Sequence, residues 1–230
     1  MTDVETNPEP VAAIVVAAGS GVRLGGEGPK ALRELAGRPL VSWSLEALAE
    51  GGVTSAVVVV AANAVEQFVE VVANAPVPIA LVVGGASRQE SVRRGLLAVA
   101  ADADVVLVHD AARPLVPPTV VAGVISAVAG GADAVIPVIP VTDSVRLLTA
   151  AGSEMVDRSL LRAVQTPQGF RRSVLVAAHE AAQGSDHTDD AAVCEAYGVA
   201  VTLVPGSSDA VKVTHPGDLA VAAAILAGRP

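Results

Sequence analysis

Residues 11–30, VAAIVVAAGSGVRLGGEGPK, constrain this chain more than any other stretch. Val11 to Ala18 are apolar without interruption and rich in β-branched side chains. That length and composition predict a strand buried on both faces, as in a parallel sheet covered by helices. The chain then turns to glycine: Gly19, Gly21, Gly25, Gly26 and Gly28, with Arg23 and Lys30 set among them. A loop without Cβ atoms lets backbone N–H groups approach a ligand closely. At the end of a buried parallel strand, that is where an α/β sheet holds phosphates. Two fixed cations there would sit against a polyphosphate.

Spacing separates the possible loops. A dinucleotide site needs G-x-G-x-x-G and an acidic residue about 20 residues on. Here the spacing is Gly19-x-Gly21-x-x-x-Gly25, and the second apolar run ends in Ala61-Ala62-Asn63, which argues against NAD. A Walker A loop needs G-K-[ST], and Pro29-Lys30-Ala31 does not supply it. A third pattern, A-G-x-G-x-R-x-G…P-K, is similar to a nucleotidyltransferase signature and is filled at each position from Ala18 to Lys30. An ordinary glycine-rich turn is the structural alternative; it leaves Arg23 and Pro29-Lys30 unexplained.

The chain has 230 residues, 52% of them hydrophobic and only 2% aromatic, so a sizeable core must be built from Ala, Val, Leu and Ile. No apolar run approaches the roughly 20 residues that span a membrane. Residues 1–10 are acidic and proline-bearing and read as a loose tail without the basic start of a signal peptide. Residues 11–230 read as a single domain. The lone Cys194 excludes an internal disulfide and fits a cytoplasmic protein, most simply as a small buried hydrophobe. A net charge of −9 with no basic cluster speaks against nucleic acid. The only lysines are Lys30 and Lys212 in a chain that otherwise uses arginine. That bias marks both as places where a compact ammonium matters.

Alternating apolar runs and helical periodicities give β-α-β-α-β-α-β-α-β up to Pro137. The expected fold is therefore α/β, a mainly parallel Rossmann-like twisted sheet with helices on both faces. Ser87-Arg88-Gln89-Glu90 is a capping box for a helix to about Ala100. Gly84-Gly85 before it and Ser91 within it also suit backbone and hydroxyl contacts to a base. The strand from Asp104 runs into His109-Asp110-Ala111-Ala112-Arg113-Pro114. Asp110, just past a buried strand and beside the loop, has the chemistry of a Mg²⁺ ligand; the alternative is an Asp–Arg pair shaping the turn. His109 reads as structural. Residues 137–160 break the rhythm with short strands around Ala150-Ala151-Gly152, a hairpin arm that a second subunit would cover. Val164 to Phe170 reads as a polar loop, and Asp209 to Thr214 as a strand. Asp189 and Asp190 read as helix N-terminal carboxylates favoured by the dipole, not as metal ligands.

In order, Ala18-Gly19-x-Gly21-x-Arg23…Pro29-Lys30, Gly84-Gly85…Ser91-Val92, the HDAARP segment, Val156-Asp157-Arg158, Thr166-Pro167-Gln168 and Lys212-Val213-Thr214 resemble the 2-C-methyl-D-erythritol 4-phosphate cytidylyltransferase family over residues 11–226. The resemblance implies transfer from CTP to methylerythritol 4-phosphate with release of pyrophosphate, Mg²⁺ dependence, and a homodimer whose 137–160 arm completes the partner's site. It implies that Arg23 and Lys30 stabilise the transition state, and that Arg158 and Lys212 position the acceptor phosphate. It places Thr142, Thr166, Thr188 and Asp209 as polar contacts to the acceptor. Ala17, Ala18, Gly19, Gly21, Gly85, Ser91, Ala111 and Arg113 fall with the nucleotide, and Asp110 with the metal and ribose. Where some members carry Asp after the Gly-Gly pair, this chain has Ala86. A phosphate oxygen is already anionic at pH 7, so such a reaction needs no general base, and no triad or carboxylate pair stands out. Ribitol 5-phosphate as acceptor, and a non-catalytic CTP-binding regulator, are the competing expectations.

Overall fold

Strand β1 (Val11–Val16) is the hub because its side chains are apolar on both faces. Val11, Ala13 and Val15 point to one core and Ala12 and Ile14 to the other, the period-2 alternation of a strand. The computed structural model describes residues 10–21, 24, 28–185 and 187–229; the tail expected over residues 1–10 lies, but for Pro10, outside them. After a short pairing of β2 (Glu34–Leu35) with β3 (Arg38–Pro39), helix α1 (Leu40–Glu50) leads to β4 (Ser55–Val60), α2 (Val65–Val72) and β5 (Ile79–Val83). Helix α3 (Arg88–Leu96) returns the chain to β6 (Val105–Asp110) on the other side of β1. All contacts among β5, β4, β1 and β6 are parallel. The chain thus reverses direction across the sheet between β1 and β6, and their carboxyl ends open a crevice there, the usual ligand position in such a sheet.

Helix α4 (Pro118–Ala129) precedes β7 (Ala134–Pro140), and β8 (Val145–Thr149) with β9 (Gly152–Val156) forms the expected hairpin, paired only with each other. β10 (Arg162–Val164) runs antiparallel to the end of β7. β11 (Gln168–Arg171) then inserts antiparallel between β6 and β7. This corrects the loop expected over Val164–Phe170. The strand tolerates a buried polar residue at its start because the Gln168 amide is fully used: Nε2 donates to Asp189 Oδ2 at 2.9 Å, and Oε1 accepts from the Ala191 N–H at 3.1 Å. Helices α5 (Arg172–Ala181) and α6 (Asp190–Ala196), strand β12 (Val201–Pro205), parallel to β7, and α7 (Pro216–Ala227) complete the chain.

Helices α1, α2 and α4 cover one face through Leu45, Leu48, Phe68, Val121 and Val124. Helices α3, α5 and α6 cover the other through Val92, Leu96, Leu175 and Val193. The strand expected over Asp209–Thr214 is instead irregular chain. It is held by the Val213 N–H, which donates to Ala112 O at 2.8 Å, and by the wholly buried Val213 side chain. Helix α3 ends at Leu96, short of Ala100. Among the described residues no helix is long and apolar enough to cross a membrane.

Candidate active site

The crevice between β1 and β6 holds a cavity of about 330 Å³. One wall is the end of β1: the Ala17 N–H donates to Val59 O at 2.8 Å, and the chain continues through Ala18 and Gly19 along the opening. Lys30 returns to the end of β1, its N–H donating to Gly19 O at 3.1 Å. This delivers the Lys30 ammonium to the cavity, where it donates to Val213 O at 2.9 Å.

The opposite wall is the Gly84-Gly85 turn and the start of α3. Ser87 caps this helix, its Oγ accepting from the Glu90 N–H at 3.1 Å. The reciprocal half of the expected box does not form, because Glu90 instead accepts from Arg93 and Arg94, which hold its carboxyl at about 2. The Ser91 hydroxyl donates to Ser87 O at 2.8 Å and accepts from the Gly85 N–H at 3.1 Å. It lines the cavity and also fixes the turn's shape.

Asp110 forms the floor, 8% exposed. Its Oδ2 meets Lys212 Nζ at 2.7 Å and its Oδ1 meets Arg88 Nε at 3.5 Å. Burial by itself would raise this carboxyl; the Arg88 and Lys212 charges outweigh it and hold the group well below the usual carboxylate range. The Asp–Arg pairing expected as the alternative at this turn therefore exists, but with Arg88 rather than Arg113. Behind Asp110, its N–H donates to Thr166 Oγ1 at 3.0 Å. His109 Nε2 faces Arg113 O at 3.2 Å, and a carbonyl only accepts, so that nitrogen carries the proton and Nδ1 accepts from the Thr166 hydroxyl at 3.1 Å. Burial pushes His109 down to about 4, so it is a neutral structural histidine at pH 7.

Ala17, Ala18, Gly19, Lys30, Gly85, Ser91, Asp110, Ala111 and Lys212 all line this one cavity. Gly21 lies directly against Lys30. Arg113 and Thr166 stand behind the wall; Arg113 donates to Ala210 O at 2.6 Å and to Val164 O at 3.3 Å, stapling the Lys212 segment and β10 to the turn after β6. Asp209 lies half-buried on that segment, and Thr188 is exposed just before α6. Thr142 and Arg158 sit with the arm, where the Arg158 guanidinium donates to Thr142 O. Arg23 lies outside the described residues.

Arg88 was not legible as a site residue, nor was Asp190. Asp190 is wholly buried, not a solvated dipole partner: its Oδ2 takes Arg88 NH1 at 2.6 Å and its Oδ1 faces His179 Nε2 at 3.0 Å. One signal existed. Arg88 occupies the first position of a helix, where the dipole disfavours a cation, so an acidic partner in the fold was to be expected.

The family model for 2-C-methyl-D-erythritol 4-phosphate cytidylyltransferase matches residues 11–228. A protein of that description from Frankia casuarinae is 50% identical over 219 residues, covering 94% of this chain and 81% of the relative. One from Streptomyces coelicolor is 47% identical, covering 97% and 87%. The crystal structure of the Thermus thermophilus protein of the same description superposes with a TM-score of 0.78 at 36% identity, covering 94% of this chain and 98% of that one. With the doubly wound sheet, the glycine-rich sequence after β1 and the cation-lined cavity in the crevice between β1 and β6, these likenesses show that the chain belongs to the 2-C-methyl-D-erythritol 4-phosphate cytidylyltransferase family.

Proposed function

We propose that this protein, as a single nucleotidyltransferase domain over residues 11–230, transfers the cytidylyl group of CTP to 2-C-methyl-D-erythritol 4-phosphate in isoprenoid biosynthesis. The observation that carries the site assignment is the convergence of Lys30, Lys212 and Arg88 on one cavity whose described lining holds a single carboxylate, Asp110, in a chain of net charge −9. A phosphate oxygen of the acceptor attacks the α-phosphorus, the bond to the bridging oxygen breaks, and pyrophosphate leaves with that electron pair. No proton has to move, which suits a cavity whose nearest histidine is neutral and engaged at both nitrogens.

The work of this chain is then positioning and charge. The Ala17–Gly19 and Gly84-Gly85 backbones, with Ser91, hold the nucleoside. Lys30, with Arg23, stabilises charge developing on the α-phosphate. Lys212 receives the acceptor phosphate and so keeps two anions within reach of each other. Asp110 suits Mg²⁺, which takes one or two carboxylates and completes its shell with substrate phosphates and water; among the described residues no cluster of three ligating side chains would make an all-protein cage. That ion would supply neutralisation of the triphosphate.

The arm supports a homodimer. Leu147, Leu148, Met155 and Leu160 are more than half exposed on it or beside it, large apolar side chains that a second copy would cover. In that assembly the partner's arm brings its Arg158 and Thr142 region to the acceptor, with Thr188 and Asp209 of the site's own chain, while Thr166, buried behind Asp110 with its hydroxyl engaged, supports the floor instead. The lone cysteine supports a cytoplasmic location. Pyrophosphate release with CTP, Mg²⁺ and methylerythritol 4-phosphate tests the assignment, with ribitol 5-phosphate run in parallel. Release with the second acceptor alone would move the protein to a different polyol phosphate, and silence with both would end the transfer reading. Light scattering tests the dimer: Leu148→Asp with Leu160→Asp should give monomers.

A further inference from the structure

We propose that Arg88 is a positioning residue, braced from behind by Asp190 and His179, which fixes the Asp110 carboxylate so that only its Oδ2 edge is offered to the nucleotide. This rests on the cytidylyl-transfer reading and gives Arg88 a specific task there, with Asp190 and His179, which that reading does not use, behind it. A continuous line of polar contacts runs from α5 to the cavity floor. His179 Nε2 faces Asp190 Oδ1 at 3.0 Å, Asp190 Oδ2 takes Arg88 NH1 at 2.6 Å, Arg88 Nε faces Asp110 Oδ1 at 3.5 Å, and Asp110 Oδ2 takes Lys212 Nζ at 2.7 Å.

The two ends of this line differ. His179 and Asp190 have side chains 1% exposed, fixed between α5 and α6. Arg88 is 26% exposed and faces two carboxylates with different nitrogens, bonded to Asp190 at 2.6 Å and at ion-pair distance, 3.5 Å, from Asp110, which a planar guanidinium does without rotating. Lys212 is 44% exposed and reaches Asp110 through one flexible ammonium. An arriving anion therefore exchanges with Asp110 for the lysine, not for the arginine. Arg88 keeps Oδ1 occupied and stops the carboxylate turning while Lys212 changes partner. This also explains a half-buried arginine at the first position of α3, where the helix dipole opposes it. Asp190 supplies the charge that makes that position tolerable.

The test is a double-mutant cycle read by CTP affinity in calorimetry and by steady-state kinetics. Arg88→Gln should weaken CTP binding and lower kcat/KM for CTP by about 10²-fold, the scale of a misplaced catalytic group, with KM for the acceptor little changed. Asp190→Asn should reproduce the direction of this effect from behind the wall. In an Asp110→Asn background, Arg88→Gln should cost nothing further, because its target is gone. Arg88→Lys should rescue poorly, since one ammonium cannot span two carboxylates. Should either single variant fail to fold, Arg88→Gln with Asp190→Asn removes both charges, strands neither, and is read the same way. Losses that multiply independently of Asp110, or that fall equally on both substrates, would overturn the proposal and leave the pair a stability element. Full CTP affinity in folded variants would overturn it as well. Failure of the transfer reading looks different: there the unsubstituted enzyme itself releases no pyrophosphate.

Discussion

Replacing Gly21 by alanine disturbs the candidate site without removing any charge from it. Gly21 has φ +69°, and a Cβ built there lies 2.9 Å from Lys30 Cβ, 3.2 Å from its Cα and 3.3 Å from its N. The backbone cost of a left-handed alanine is about 1–2 kcal/mol. The steric cost falls on Lys30, because carbon atoms settle at roughly 3.5 Å or beyond. The start of the Lys30–Leu32 turn must therefore retreat by about half an ångström, and its bonds from the Lys30 N–H to Gly19 O and from Nζ to Val213 O resist. The ammonium ends in the wrong place relative to a phosphate bound against Gly19. Misplacement on the ångström scale costs about 10²-fold in rate, so half of that should leave about a tenfold loss in kcat, with Tm lowered by only a few degrees. Turnover and melting are measured on the same preparation. Unchanged kcat in a folded variant would refute the claim that Gly21 is glycine in order to seat Lys30. A loss of activity that tracked unfolding would refute it equally.

Lys30→Ala and Lys212→Ala should each lower kcat by about 10²–10³-fold, as for a lost oxyanion donor, while circular dichroism spectra stay native; near-normal rates in both would sink the site. Asp190 has its carboxyl held below the usual range: burial opposes this, and the His179 hydrogen bond and the Arg88 charge outweigh it. A depressed native value means that the unfolded state binds the proton first, so the stabilisation is full above about pH 4 and is lost as pH falls further. The Tm gap between the natural protein and Asp190→Asn should therefore narrow on acidification, and a constant gap would contradict the pairing. Burial pushes the Cys194 thiol up to about 12, ahead of the neighbouring acids, so a thiol reagent should label it only after denaturant is added.

What was legible in the chain was what is local. The β1 run, the glycine loop, the Gly84-Gly85 turn and the HDAARP segment each carry their conformation in adjacent residues, and they supply most of the cavity lining. Helix α4 likewise has local punctuation at both ends, Pro118 at its start and Gly130 just past its end. β11 was hidden because Gln168 is polar; only its pairing with Asp189 and α6 makes it a core residue. The Lys212 segment was misread as a strand for the converse reason. Its buried Ala210 and Val213 are held by bonds to Arg113 and Ala112, not by a ladder. Asp189 and Asp190 are identical in sequence terms, yet Asp189 caps α6 through the Ala192 N–H at 2.9 Å while Asp190 turns inward to Arg88. Nothing adjacent to them decides which does which.

The misread segments are linked, and the link explains how an acidic chain assembles a cationic cavity. By entering between β6 and β7, β11 carries Thr166 under Asp110 and Gln165 beside Ser207, where the Gln165 amide bonds both the Ser207 N–H and carbonyl at 3.0 and 2.8 Å. Those bonds, with Arg113 on Ala210, lay the 207–214 segment across the turn after β6 and bring Lys212 to a cavity whose other lysine arrives from the opposite end of the chain. Each cation is received there by an acceptor already committed to the fold: Val213 O for Lys30, Asp110 for Lys212, Asp190 for Arg88. Like charges that would repel in an empty pocket are thus held in place before any substrate arrives. Such preorganisation is what lets fixed charges act on a developing phosphate charge without reorganising during the reaction. β11 contributes a further link: running antiparallel to β6, it starts with Gln168 opposite Val108 near the carboxyl end of β6, and there Gln168 meets Asp189 while the neighbouring Asp190 is aimed at Arg88.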